Sequence, residues 1–300
     1  MNSKEYRYQL ESRSLTGRRQ QKARCPQCGR RSLVRYVDTT RGFQYVDNTV
    51  GRCDHELSCG YHLKPSDFYG DHPWMGQTQA AKLPPPPPPR PFLPLRWEYV
   101  ERSHSPRSIF WQWFSQVFAP LKGVSQDVVS HLFGDYRIGA TREGHVIFWQ
   151  IDRRQRVHGG HIMSYTADGH RNGYQGWTHI PLIHSGLLPL DYQLQQCLFG
   201  EHLLAKYPER TVCLVESEKT ALVMAALQPR HLWLATSGSG GLNAEKMAPL
   251  RGCRLVVFPD SGCYQKWKTR LEAVKGLDFS ISDRLEQYPP NTDLADLVMP

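Results

Sequence analysis

No stretch of the 300-residue chain approaches the roughly 18 consecutive apolar residues of a membrane helix, and mean hydropathy is -0.53. Residues 1–21 are polar and charged, without the apolar core of a secretory leader. The expectation is a cytoplasmic protein with no membrane partner. Acidic residues are scarce at the start: residues 1–90 hold 15 Lys/Arg against 8 Asp/Glu, so +7 of the net +9 lies there. A one-sided basic segment points to a polyanion, nucleic acid before membrane. Internal repeats are absent. Lys219 of Glu218-Lys219-Thr220 lacks a preceding glycine run, which excludes a P-loop.

Eight cysteines are present. Without a leader they do not read as a disulfide framework. Cys25, Cys28, Cys53 and Cys59 cluster at the basic end, whereas Cys197, Cys213, Cys253 and Cys263 are scattered in or beside apolar runs. Cys25-Pro26-Gln27-Cys28-Gly29 has zinc-knuckle spacing, and Cys53 and Cys59 supply the return pair. Four thiolates around one tetrahedral zinc make a structural site, with no open position for water. His55 and His62 are alternative ligands for one position. Phe43, Tyr45 and Val46 are expected in strands between the knuckles. A small basic ribbon with exposed aromatics suits single-stranded nucleic acid.

The chain divides into a basic tail (1–21), a zinc ribbon (22–75), a proline-rich linker (76–95) with six prolines from Pro84 to Pro89, a middle domain (96–205) and an α/β domain (206–300). Polyproline is a semi-rigid spacer. The middle opens with helices rich in Phe and Trp, which read as core. Ser125 caps a second helix running through Leu132. A hairpin follows over 145–165, turning through Arg153, Arg154 and Arg156. After 206 the pattern alternates strand and helix: 211–215, 218–227, 231–235, 243–250, 254–258, 264–275 and 278–282. That order implies parallel strands with helices on both faces.

Glu216 and Asp260 each follow a strand, and open α/β sheets place their sites at that edge. Asp293 and Asp296 add carboxylates near the C-terminus. Converging carboxylates are the hard-oxygen surroundings of Mg²⁺ or Mn²⁺, which can position phosphates for transfer. Taken singly, Glu216 or Glu218 reads equally as a helix N-terminal acid, and Asp260 as a turn residue. The glycines of 235–241 would let backbone amides approach a phosphate.

Together these pieces resemble bacterial DNA primase: a Cys-Pro-x-Cys ribbon, a mixed middle, then Glu after one strand and Asp after a later one. His145 to Asp152, Arg156 to Gly160 and Cys197 to Gly200 resemble the primase segments ahead of its toprim domain. The combination of Cys-Gly-Tyr-His, Phe-Trp-Gln-Ile-Asp, Val-Glu-Ser-Glu-Lys-Thr-Ala and Phe-Pro-Asp resembles primase-related proteins of unknown function from bacterial mobile elements. The resemblance covers residues 24–298. It implies an α/β fold: an N-terminal zinc ribbon, a mixed α+β middle segment and a toprim-like parallel sheet flanked by helices. It assigns Glu216 and Asp260 to the toprim cation, with Asp293 and Asp296 as the later acidic motif. Gly262 stands where the family carries a second aspartate.

Three functions fit. One is a primase-like nucleotidyltransferase on single-stranded DNA, with a replication helicase as partner and Glu216, Asp260 and Asp293 catalytic. The second is a non-catalytic replication or mobilisation accessory. The third is a toprim nuclease. Gly262 favours the second over the first; the ribbon and the primase-like middle favour both over the third.

Overall fold

The computed structural model describes residues 6–55, 59–71, 92–238 and 241–299. The polyproline spacer lies outside the described residues. The chain forms two compact units, 1–91 and 92–300.

The first unit is built around strand β3 (Arg31–Asp38). Around it lie β1 (Tyr8–Leu10), β2 (Ala23–Arg24), β4 (Gln44–Tyr45) and β5 (Gly51–Cys53), each paired antiparallel with β3. β6 (His62–Leu63) continues the sheet from β5. Two expectations need correction. Residues 1–21 are not simply a tail, because β1 pairs with Tyr36–Asp38 and Ser12 caps a short helix, Arg13–Thr16. Glu11 is buried, accepting from the Tyr45 hydroxyl at 2.9 Å and the Gln21 amide at 3.1 Å. Those partners lie 34 and 10 residues away, so no local apolar pattern announces the segment. The principal ribbon strand is β3, and of Phe43, Tyr45 and Val46 only Tyr45 lies in a strand.

The second unit joins two sheets. β7 (Ile138–Ala140), β8 (Val146–Ile151), β9 (Val157–Tyr165) and β10 (Arg171–Trp177) form an antiparallel sheet in the order β10-β9-β8-β7. β11 (Val212–Val215), β12 (Leu232–Ala235), β13 (Leu255–Val257) and β14 (Ser280–Ile281) form a parallel sheet in the order β12-β11-β13-β14. The chain leaves β11 towards β12 on one side and leaves β13 towards β14 on the other, which opens a crevice at the C-terminal ends of β11 and β13. Helix Glu218–Leu227 begins where the sequence places it, with the Ser217 hydroxyl accepting from the Thr220 amide. Ser125 likewise caps Gln126–Asp135, which runs past Leu132 and through Gly134. The edge strand β10 follows the hairpin, and a short helix, His179–His184, follows it.

One apolar core runs between the sheets. Phe110, Trp113, Phe114 and Phe118 come from helix Ile109–Trp113 and the π-helical turn Phe114–Phe118 that continues it. Each is at most 2% exposed, so these aromatics are core, as their apolar grouping implies. Burying each side chain contributes about 1.5–3 kcal/mol. Trp113 packs on the β9–β10 turn at Gly169, where φ is +82° and a Cβ would lie 2.2 Å from the indole; only glycine fits. Hydrogen bonds also fasten the parallel sheet to the chain that packs beside it. Phe199 bridges Ala235 at the edge of β12, and the Tyr136 hydroxyl donates to the Trp233 carbonyl at 2.7 Å. No helix among the described residues is long and apolar enough to cross a membrane.

Candidate functional site

Cys25, Cys28, Cys53 and Cys59 bring their Sγ atoms within 4.8 Å of one another. Cys25–Cys59 measures 3.6 Å and Cys28–Cys53 3.9 Å. Zn–S bonds of about 2.3 Å in a tetrahedron require S···S edges of about 3.8 Å, so the thiols fit zinc. The Ser32 hydroxyl lies 3.2 Å from Cys53 Sγ, and the Gln27 side-chain amide donates to the Cys59 carbonyl at 2.6 Å. The Arg30 amide leads in pulling the Cys28 thiol down to about 6. Four adjacent thiolates repel one another, and a divalent cation removes that conflict. His62 Nε2 instead pairs with the Tyr36 hydroxyl at 3.0 Å. The His55 carbonyl accepts the Cys59 amide at 2.8 Å.

Beside this centre a cavity of about 570 Å³ is lined by Lys22, Arg24, Arg31 and Arg35, together with Gln21, Ala23 and Gly29. Lys22 pairs with Asp54. The Arg35 guanidinium lies 3.5 Å from the Tyr45 ring centre, and Arg24 and Arg31 are exposed. The groove thus presents positive charge with little apolar cover.

In the second unit, β11 ends at Val215 and Glu216 follows; β13 ends at Val257 and Asp260 follows after Phe258 and Pro259. The strands are adjacent and parallel. Asp260 is pushed up to about 8, first by burial, then by Glu216 and Asp293; Arg171 opposes this and Asp296 adds to it. The four acids assigned from sequence therefore share one electrostatic neighbourhood. Their carboxylate oxygens are not gathered at direct ligand spacing: among the described residues, only the four cysteines meet that test. Asp293 is fixed by the Thr220 hydroxyl at 2.6 Å. Asp293 and Asp296 also exchange backbone-to-carboxylate bonds of 2.9 and 3.0 Å. Gly262 has φ +82°, and its amide donates to Glu286 at 3.0 Å. Glu286 also accepts the Tyr264 amide at 3.2 Å, satisfying the first turn of helix Tyr264–Glu272.

Glu216 shares a cavity of about 430 Å³ with residues that sequence reasoning missed, chiefly His161, Arg171, Trp177 and Gln196. Glu218 is buried at 2% exposure. Burial raises its pKa, but hydrogen bonds from His161 and Ser237 bring it below the ordinary carboxylate value. His161 Nδ1 stands 2.7 Å from Glu218 Oε1. Gln150 donates to the Ser237 hydroxyl at 3.0 Å, and the Gly238 amide donates to the Glu216 carbonyl at 3.3 Å. Behind this wall Lys246 is buried and lowered to about 8 by burial, donating to Gln196 at 2.9 Å and the Thr236 carbonyl at 2.6 Å. Lys219 is lowered by burial while Asp293 and Asp296 oppose the shift. Of the turn arginines, Arg156 pairs with Asp152 at 2.7 Å and Arg153 donates to the Pro249 carbonyl at 3.1 Å. Both therefore serve internal contacts.

Comparison with known proteins returns a zinc beta-ribbon finger over residues 6–74, a span that includes strand β1. No curated protein matches the chain. Solved structures with likeness include the E. coli primase catalytic core, at TM-score 0.42 and 15% identity, covering 67% of this chain and 73% of that one. The RNA polymerase domain of Mycobacterium tuberculosis primase DnaG aligns at TM-score 0.40 and 13% identity, covering 67% and 76%. A DnaG primase catalytic domain bound to single-stranded DNA aligns at TM-score 0.40 and 14% identity, covering 61% and 68%. A family profile matches residues 108–261, spanning the antiparallel sheet and the parallel sheet through Asp260, and the chain belongs to that family, described as a domain of unknown function (DUF6371).

Proposed function

We propose that this is a primase-like nucleic-acid-binding protein whose parallel sheet is a toprim-type platform for divalent-cation-dependent nucleotidyl transfer on single-stranded DNA. The observation that carries the reading is the placement of Glu216 and Asp260 after adjacent parallel strands at the crevice. Asp260 is pushed up to about 8 by burial and by its acidic neighbours. Carboxylates held in mutual repulsion are stabilised by a cation among them. Mg²⁺ keeps several of its waters, so two or three carboxylates can hold it through that shell without tight spacing. In this reading Glu216, Asp260 and Asp293 carry the ion, with Asp296 holding Asp293. The ion would neutralise the phosphates of an incoming nucleotide. The basic groove of the zinc ribbon takes the template backbone, and a replication helicase is the natural partner for such an activity.

A second reading, a non-catalytic replication or mobilisation accessory, draws support from residue 262. Its positive φ favours glycine, and its amide is engaged by Glu286. An aspartate there would strain the turn and face a neighbouring carboxylate, so the missing acid is not simply restored.

Calorimetric titration of the zinc-loaded protein with Mn²⁺ tests the platform. One weakly bound ion is expected in the wild type, lost in Glu216→Gln and weakened at least tenfold in Asp260→Asn. Equal binding by all three proteins removes the cation from this edge and leaves the accessory reading.

A further inference from the structure

We propose that His161 is the proton acceptor of the pocket, oriented by Glu218; the inference rests on the nucleotidyl-transfer reading and names a group that the toprim acids do not supply. His161 sits on the central strand β9, with Phe148 opposite it on β8 and Trp177 on β10. The Trp177 ring stacks on the imidazole, centroids 4.7 Å apart and planes 15° from parallel. Glu218, on the first turn of helix Glu218–Leu227, receives Nδ1 at 2.7 Å. A carboxylate oxygen at this distance accepts, so Nδ1 donates and carries the ring proton. The lone pair of a neutral ring therefore lies on Nε2.

His161 lines the cavity that also holds Glu216. Its Nε2 has no hydrogen-bond partner among the described residues and is not sealed from solvent. A buried carboxylate behind one ring nitrogen and an open second nitrogen is the arrangement that lets histidine accept a proton and stabilises the imidazolium formed. The charged groups around the ring are Glu218 from the helix, Glu216 from the turn before it and Arg171 from β10.

In the step assigned here, a sugar hydroxyl gives its proton to Nε2 as its oxygen bonds to the α-phosphorus of a nucleoside triphosphate. The bond from that phosphorus to the bridging oxygen breaks, and pyrophosphate leaves with the electron pair. The imidazolium then releases its proton to solvent through the open pocket.

The test is the pH–rate profile of oligomer synthesis on single-stranded DNA, using the full chain with nucleoside triphosphates and Mn²⁺. Wild type is expected to lose rate on the acid side as the ring protonates. His161→Gln should lower kcat by about 10²–10⁴-fold, with little change in nucleotide KM, and erase the acid limb. Added imidazole should restore part of the rate to His161→Ala. Glu218→Gln should lower kcat with little change in KM, because Nδ1 loses the carboxylate that orients the ring. Circular dichroism on each variant separates these effects from unfolding. Synthesis by wild type with an unchanged limb in folded His161→Gln overturns this inference alone. No synthesis by wild type overturns the transfer reading, and this step with it.

Discussion

The Thr220 hydroxyl donates to Asp293 Oδ2 across 2.6 Å, tying the start of the helix after β11 to an acid 73 residues further along the chain. Thr220 is itself buried at 1% exposure, so the bond holds Asp293 from a fixed base. Thr220→Val keeps the shape and removes the donor. A hydrogen bond to a charged acceptor contributes about 1.5–3 kcal/mol, and the variant should lose about 2 kcal/mol in urea unfolding. Mn²⁺ affinity should fall with it. An unchanged midpoint and affinity would show that Asp293 is positioned by its exchange with Asp296 alone.

The cysteine centre should hold about one zinc per chain, as expected of a closed four-ligand site. Elemental analysis of purified protein measures this directly. The Cys25→Ala, Cys28→Ala double variant should lose the metal and the folded ribbon, since zinc binding and folding of such modules are linked. Full zinc retention by that variant contradicts the assignment.

DNA affinity should depend steeply on salt. Each phosphate contact on a single strand contributes about 0.7 to the slope of log K against log salt. Arg24 and Arg31 are exposed cations of the groove, and the third, Lys22, pairs with Asp54. Replacing both by alanine in the full chain should flatten the slope by about 1.4 and weaken binding across sequences alike. Fluorescence anisotropy from 50 to 300 mM salt, on the order used for such slopes, provides the measurement. An unaltered slope places the template elsewhere.

Glu201 predicts a specific pH dependence. Burial raises it to about 7 from its ordinary value of 4.5, even though it accepts the Arg153 and Leu198 amides. A raised acid favours its neutral form in the folded state. Its contribution is therefore complete below about pH 4.5 and lost as pH rises through about 7. At 1.36 kcal/mol per unit this amounts to about 3 kcal/mol. The stability difference between wild type and Glu201→Gln should shift by that order across the window, wild type losing ground as pH rises. A flat difference would mean Glu201 titrates normally.

What was legible in the sequence follows from the range of the forces involved. Cysteine spacing reports metal chemistry directly, and the strand–helix alternation marks helix 218–227. Glu216 and Asp260 could be placed at strand ends because short apolar runs terminate at those acids. Strand β1 escaped because its fixing contacts go to Tyr36–Asp38 and its neighbour Glu11 is buried beneath Tyr45. His161 escaped because it reads as one more strand residue. Its partner lies 57 positions away, and neither residue carries a mark of the other. Glu286 at the 262 turn is hidden for the same reason, 24 residues from the amide it receives.

Incubation of the 300-residue chain with single-stranded DNA, labelled nucleotides and Mg²⁺ or Mn²⁺ tests the central claim most directly. The account predicts new oligomers from wild type and none from Glu216→Gln. Shortened DNA, or retained binding with neither synthesis nor cleavage, would contradict it.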